Sequence, residues 1–174
     1  MPHDDETARL ATYQLVTVPS YRLITLRDQD CDAAPDSDGT IDDARRAVAA
    51  SSGYELFIDC AQDLLSVTVT VHVRTDSPEV SRADRSPVLE LECPSGELAL
   101  GSPTGDAIGI EVEPGTYSLI VEYEGRQAAA ERRQEILDER ARSGTDLHTA
   151  ANASAGPEQY LLSMWRTGPV SDDD

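Results

Sequence analysis

Residues 67–74 read Val-Thr-Val-Thr-Val-His-Val-Arg, and residues 115–124 read Gly-Thr-Tyr-Ser-Leu-Ile-Val-Glu-Tyr-Glu. In the first, Val67, Val69, Val71 and Val73 alternate with Thr68, Thr70, His72 and Arg74. A period of two puts every valine on one side of an extended chain, which predicts a strand with one buried face and one wet face. In the second, Tyr117, Leu119, Val121 and Tyr123 alternate with Ser118, Ile120, Glu122 and Glu124. Between them, Leu89, Leu91 and Cys93 alternate with Glu90 and Glu92, Leu98 and Leu100 follow Gly96, and Ile108, Ile110 and Val112 alternate with Gly109, Glu111 and Glu113. Short, regularly spaced strands separated by turn residues predict a mainly β chain. The expected architecture is an antiparallel β-sandwich, C2-like or immunoglobulin-like. Pro114-Gly115 suits either a type II turn or an arch from one sheet to another, because type II turns match hairpin twist poorly.

Outward from this core the texture changes. Residues 12–26, interrupted at Pro19-Ser20, read as one edge strand with a proline-marked break. The acidic loop 27–43 follows and leads into a short helix over 41–51, with Thr40 as its N-cap and Gly53 as its stop. Residues 126–142 are strong helix formers with a narrow stripe at Ala129, Ile136 and Leu137, which predicts a helix lying on the surface. Residues 143–157 are rich in Ala, Ser, Thr and Gly and read as mobile. A closing strand, 159–165, carries the only tryptophan, so 126–158 reads as an insertion between strands and 169–174 as a disordered acidic tail. The length of 174 residues fits one domain.

The chain holds 33 Asp and Glu against 14 basic residues, all arginine, for a formal charge of -19. Such a balance excludes direct nucleic-acid binding and docking on anionic membranes, both of which need a positive footprint. No apolar run is long enough to span a bilayer and the first residues are acidic, so a cytoplasmic protein is expected. Three cysteines, Cys31, Cys60 and Cys93, without a CxxC pair are expected as free thiols. The charge is unevenly placed. Residues 1–43 carry 10 acids and 3 Arg, residues 76–124 carry 11 acids and 2 Arg, and residues 126–142 carry 4 acids and 5 Arg. Glu90, Glu92, Glu111, Glu113, Glu122 and Glu124 all fall opposite apolar strand positions. If their strands share one sheet, its outer face is a field of carboxylates suited to steering a basic protein partner. Trp165 and Arg166 join these six as candidate partner-binding residues, because interfaces favour both types.

Catalytic chemistry finds little to recruit. There is no GxSxG elbow, a phosphate loop lacks the lysine it requires, and no Cys/His cluster has zinc spacing. A calcium loop centred on Gly39 puts Asp36, Asp38 and Asp42 at ligand positions, yet Ala34 and Arg45 occupy the first and twelfth, where the most demanding ligands belong. Asp36, Asp38 and Asp42 are therefore only a weak metal candidate, and no cofactor is expected.

The order of features resembles the competence protein J family, the inhibitors of a DNA-entry nuclease. The matching phrases are Tyr13-Gln-Leu-Val, the alanine-rich helix and apolar strand within Ala44–Ile58, and the valine strand. They continue with Gly96-Glu-Leu-Ala-Leu, Val112-Glu-Pro-Gly-Thr-Tyr117 and Tyr160-Leu-Leu-Ser-Met-Trp165. The inserted helix and the acidic loop depart from that pattern. The resemblance implies a small β-sandwich that binds a protein rather than an enzyme, an inhibitor or immunity protein for a nuclease or toxin with a basic surface. Two further readings stand beside it: an accessory or scaffold domain docking through the inserted helix, and a divalent-metal protein or enzyme using the 28–43 aspartates.

Overall fold

The computed structural model describes residues 8–31, 37–144, 146 and 155–171. Two five-stranded sheets pack face to face. The first holds, in spatial order, β1 (Arg9–Thr17), β5 (Ser66–Arg74), β10 (Ala155–Gly168), β9 (Gly115–Glu124) and β6 (Leu89–Cys93). The second holds β3 (Ala49–Ser51), β4 (Glu55–Asp59), β2 (Leu23–Asp28), β7 (Glu97–Gly101) and β8 (Ala107–Glu111). Every ladder is antiparallel except that between β5 and β10, which is parallel. The mainly β sandwich expected from the alternation is thus the observed architecture.

The core is the set of residues that the period of two selected. Val67, Val69, Val71 and Val73 meet Leu119, Val121, Tyr160, Leu162 and Met164 from the first sheet, and Ile24, Leu26, Leu56, Ile58, Leu98, Leu100 and Ile110 from the second. Along β6 and β3 the sandwich is closed by backbone pairing, where the Glu92 N–H donates to the Gly53 carbonyl at 2.7 Å. Along β1 and β8 the closure is looser, with the Tyr13 hydroxyl donating to the Glu111 carbonyl at 3.3 Å. Pro114-Gly115 is an arch: it carries the chain from β8 in the second sheet to β9 in the first.

Two sequence expectations are corrected. Residues 12–26 are not one strand. The break at Pro19-Ser20 carries the chain from β1, an edge of the first sheet, to β2 at the centre of the second, through a 3₁₀ turn at Ser20–Arg22. A proline turn can change sheets as readily as it interrupts one. The helix expected over 41–51 is α1, Ser37–Ala47, so Thr40 lies inside it, buried, rather than at its cap. Ala49–Ser51 leaves the helix to pair with β4, Ala49 opposite Ile58. Strand pairing overrides the helical preference of two alanines, and Val48 turns the corner at φ 72°.

The surface helix is α2, Arg126–Ser143, with only Ala129 and Ile136 buried. It starts directly after Gly125, whose φ is 74° and whose missing Cβ would stand 2.0 Å from the Pro157 carbonyl oxygen. Only glycine fits that corner. The closing strand is longer than expected, beginning at Ala155. Most of the 143–157 stretch and residues 172–174 of the acidic tail lie outside the described residues. No described helix is long and apolar enough to cross a membrane.

Candidate functional site

The structure does not gather the six glutamates on one sheet. Glu90 and Glu92 project from β6, at one edge of the first sheet, with Glu90 exposed and Glu92 half-buried. Glu111 and Glu113 are exposed beside the opposite edge, because β8 belongs to the second sheet. Glu122 is only 3% exposed, and its carboxylate accepts a hydrogen bond from the Arg82 backbone N–H at 2.9 Å. The connection between β5 and β6 therefore lies over the outer face at that point. Glu124 is exposed and faces Arg82 at 3.4 Å. The condition for a continuous field, one shared sheet, fails because alternation shows which side of its own strand a residue takes and not which sheet the strand joins.

Trp165 is half-buried on the outer face of the first sheet, opposite Arg74 on β5 and Ser118 on β9. Arg166 clasps the arch between the sheets: its Nε donates to the Pro114 carbonyl at 3.0 Å and its guanidinium lies 3.7 Å from the Glu113 carboxylate. Of the aspartates considered for metal, Asp38 and Asp42 are exposed on α1, Asp42 paired with Arg45 at 3.0 Å, while Asp36 lies outside the described residues. Among the described residues no three His, Cys, Asp or Glu side chains converge as metal ligands. Asp28, from the same acidic loop, is buried and structural. Its carboxylate accepts from the Ser95 N–H at 2.9 Å, the Ser95 hydroxyl at 2.8 Å and the Asp30 N–H at 2.8 Å. Burial alone raises its pKa, but these bonds outweigh burial and hold it below the ordinary aspartate value.

A second buried polar group ties α2 to the sandwich. Arg126 donates to the Asp59 carbonyl and, at 2.7 Å, to the Tyr160 hydroxyl, and stands 3.6 Å from the Glu158 carboxylate. Glu158 is fully buried and accepts from Tyr160, from the Ala61 N–H at 2.6 Å and from the Gln62 amide at 3.2 Å. Arg22 binds Asp59 at 3.0 Å. Cys60 beside them is buried, and burial pushes its thiol up and out of the reactive range, as it does for Cys93, pushed up to about 12. Every member of this network is occupied with another, so it is a fastener rather than a reaction centre.

A concavity lined by residues that the sequence did not single out lies on the outer face of the second sheet. It is a groove of about 480 Å³, walled by Ile41 of α1 on one side and by the Gly101–Ala107 turn on the other. The strand register builds its floor in cross-strand rows: Glu55, Arg27 and Ala99 form one, and Phe57, Thr25, Gly101 and Ala107 the next. The floor is therefore small and flat under β7 and β8, while β2 and β4 contribute Thr25, Arg27, Glu55 and the Phe57 ring. Tyr21 stands at its end, 74% exposed, with φ at 57° and Arg22 beside it at 63°. Two consecutive non-glycine residues in the left-handed region cost on the order of 1–2 kcal/mol each. The turn is held there by Arg22, which donates to the Cys60 carbonyl at 2.8 Å, and by the Ser20 N–H, which donates to the Ser102 hydroxyl at 2.6 Å.

Glu55 is the notable member of this floor. It is 9% exposed, and among the described residues no hydrogen-bond donor reaches its carboxyl. Arg27 stands directly opposite but sends its guanidinium to the Cys31 carbonyl at 3.4 Å. Burial raises the Glu55 pKa above the ordinary glutamate range, and the Arg27 charge opposes that only in part. Sequence reading missed this residue. Its signal is Glu55-Leu-Phe-Ile-Asp59, a strand buried on both faces that nevertheless carries a charge at each end.

No family model matches the chain, and no curated protein matches it. Two solved structures share its fold. ComJ, the inhibitor of the DNA degrading activity of NucA from Bacillus subtilis, superposes with a TM-score of 0.58 at 12% identity, covering 91% of this chain and 97% of that one. A protein described as Crocagin biosynthetic gene J superposes with a TM-score of 0.56 at 14% identity, covering 90% and 97%. The resemblance read from the sequence phrases is met at the level of fold.

Proposed function

We propose that this chain is an acidic, inhibitor-like protein-binding module whose partner is a nuclease or toxin with a basic surface, acting in the cytoplasm and without catalysis of its own. The observation that carries the reading is where the charge lies. The buried carboxylates are Asp28, Glu55, Asp59, Glu122 and Glu158, and the other described acids line the surface, with too few arginines in the chain to neutralise them. A molecule of this kind draws in a positively charged partner over long range and can occupy the site where phosphates would lie. The likeness of its fold to that of a nuclease inhibitor supports the same reading.

The candidates are the exposed Glu90, Glu111, Glu113, Glu124 and Arg166, together with the half-buried Glu92 and Trp165. Glu122 is left out because reversing a buried charge would disturb folding. Affinity capture from the native cells, at about 0.05 M and 0.5 M salt, followed by an assay of the captured partner's activity, tests the reading. The expected outcome is a partner of positive net charge that is inhibited by this chain, released by the higher salt, and bound at least tenfold more weakly when Glu90, Glu92, Glu111 and Glu113 are changed to arginine. A partner held equally by the quadruple variant, or none at either salt, overturns it.

A further inference from the structure

Four strands end the two sheets, and three of them are guarded. β3 is three residues long and β8 is five. β6 is also five, carries Glu90 and Glu92, and has its Glu92 N–H bonded to the Gly53 carbonyl. Shortness, charge and pairing are the usual protections of a sheet edge. β1 lacks them: it is nine residues long, and from Leu10 to Val18 no side chain is charged, in a chain with 33 acids. Leu10 is 65% exposed and Val16 56%, with Thr12 and Gln14 exposed between them. Among the described residues β1 ladders with β5 alone, so the N–H and C=O groups of its alternate residues face the open side. An uncharged run of such β propensity, left open, is a hazard for aggregation.

The flank of this edge is acidic. The Tyr13 hydroxyl bridges from β1 to the Glu111 carbonyl of β8. A recess of about 330 Å³ is lined by Leu10, Glu111 and Glu113, and there Arg74 and Arg166 are already engaged with Asp76 and the arch. A second, of about 250 Å³, is lined by Tyr13, Gln29, Glu97 and Glu111. Glu97 and Glu111 stand directly opposite in the β7–β8 register and are both exposed, a like-charge pair that weakens the sheet. Among the described residues no ion pair includes either carboxylate.

We propose that β1 is the docking edge for the protein partner, whose extended, basic segment adds to the first sheet as a strand and sets cationic side chains against Glu97 and Glu111. Free main-chain groups along an edge are matched by an extended chain rather than a helix. Charge selects the occupant: a second copy brings -19 against -19, whereas a cationic segment is attracted and relieves the glutamate pair. This inference rests on the protein-binding reading above and names the surface within it.

The test uses the full chain, isotope-labelled, with acetyl-Arg-Val-Arg-Val-Arg-Val-Arg-amide as the probe at about 0.05 M salt. A counterpart N-methylated at every residue keeps the charge and loses every N–H. Saturable binding is expected, with slowed hydrogen exchange at alternate amides of β1, those not already bonded to β5. The methylated peptide should produce no such slowing, a control that needs no variant to fold. Thr12→Lys with Val16→Lys, at two exposed positions, should bind about tenfold more weakly, and Glu97→Gln with Glu111→Gln should also bind more weakly. No saturable binding, equal binding of the methylated peptide, or slowing at β6 instead overturns the proposal. So does protection of β1 that rises with protein concentration without peptide, because a second copy then holds the edge. A natural partner that binds the Thr12→Lys, Val16→Lys variant as well as the wild type ends the edge proposal and leaves the inhibitor reading intact. Strand addition by the peptide with no natural partner captured does the reverse.

Discussion

Single residues in this protein show how burial and hydrogen bonding pull a carboxyl in opposite directions. Asp28 and Glu55 are both buried strand residues of the second sheet, one with three donors and one with none. Asp28 has a folded pKa below its unfolded value, so it adds stability at pH values above the unfolded pKa of about 3.9. That stability is lost as pH falls through the lower folded value. Asp28→Asn is therefore expected to cost on the order of 2 kcal/mol at pH 7, with the deficit shrinking below about pH 4, measured by denaturant unfolding across that range. Tyr21 makes the opposite kind of prediction. Its left-handed backbone is strained, so Tyr21→Gly should keep or raise stability by about 1 kcal/mol, read by denaturant unfolding. A loss of stability in that variant would show that contacts of the ring outweigh the backbone strain.

At the scale of elements, the insertion is less detachable than its sequence implies. Arg126 at the first turn of α2 and Glu158 at the start of β10 meet over Asp59 and Tyr160, so the helix is fastened at both ends of its connection. Removing one side of a buried ion pair costs about 3–5 kcal/mol, and Arg126→Met is expected to unfold the chain by that amount, with thermal melting as the measure. Arg126→Met together with Glu158→Gln should recover part of the loss, since no lone charge is then left inside. The elements legible in the sequence were those with one wet face, such as β5 and β6, because alternation survives there. Those written by contacts were not. Ala49-Ala50-Ser51 carries no strand signal of its own and becomes β3 only by lying against β4. The groove was invisible for the same reason. Glu55 and Arg27 are neighbours through a register that spans 28 residues of chain, and nothing local announces it.

For the molecule as a whole, the charge acts on stability and on association with opposite signs under salt. Thirty-three acids against 14 arginines repel one another in the compact state, so raising sodium chloride from about 0.05 to 0.5 M is expected to raise the melting temperature by several degrees. The same change should weaken binding to a basic partner. Calorimetry and a binding titration on one sample would check both slopes, and a melting temperature that falls with salt would mean that pairs such as Arg22–Asp59 outweigh the repulsion. The parallel ladder between β5 and β10 has a consequence in time. The last strand of the domain in chain order occupies the middle of its sheet, so until it emerges from the ribosome β5 and β9 each wait with an open edge. Closing so long a loop is slow, and open edges invite other chains. Emergence of β10, not strand propensity, then sets when this sheet can form, and a nascent chain halted before Ala155 should be a client for chaperones.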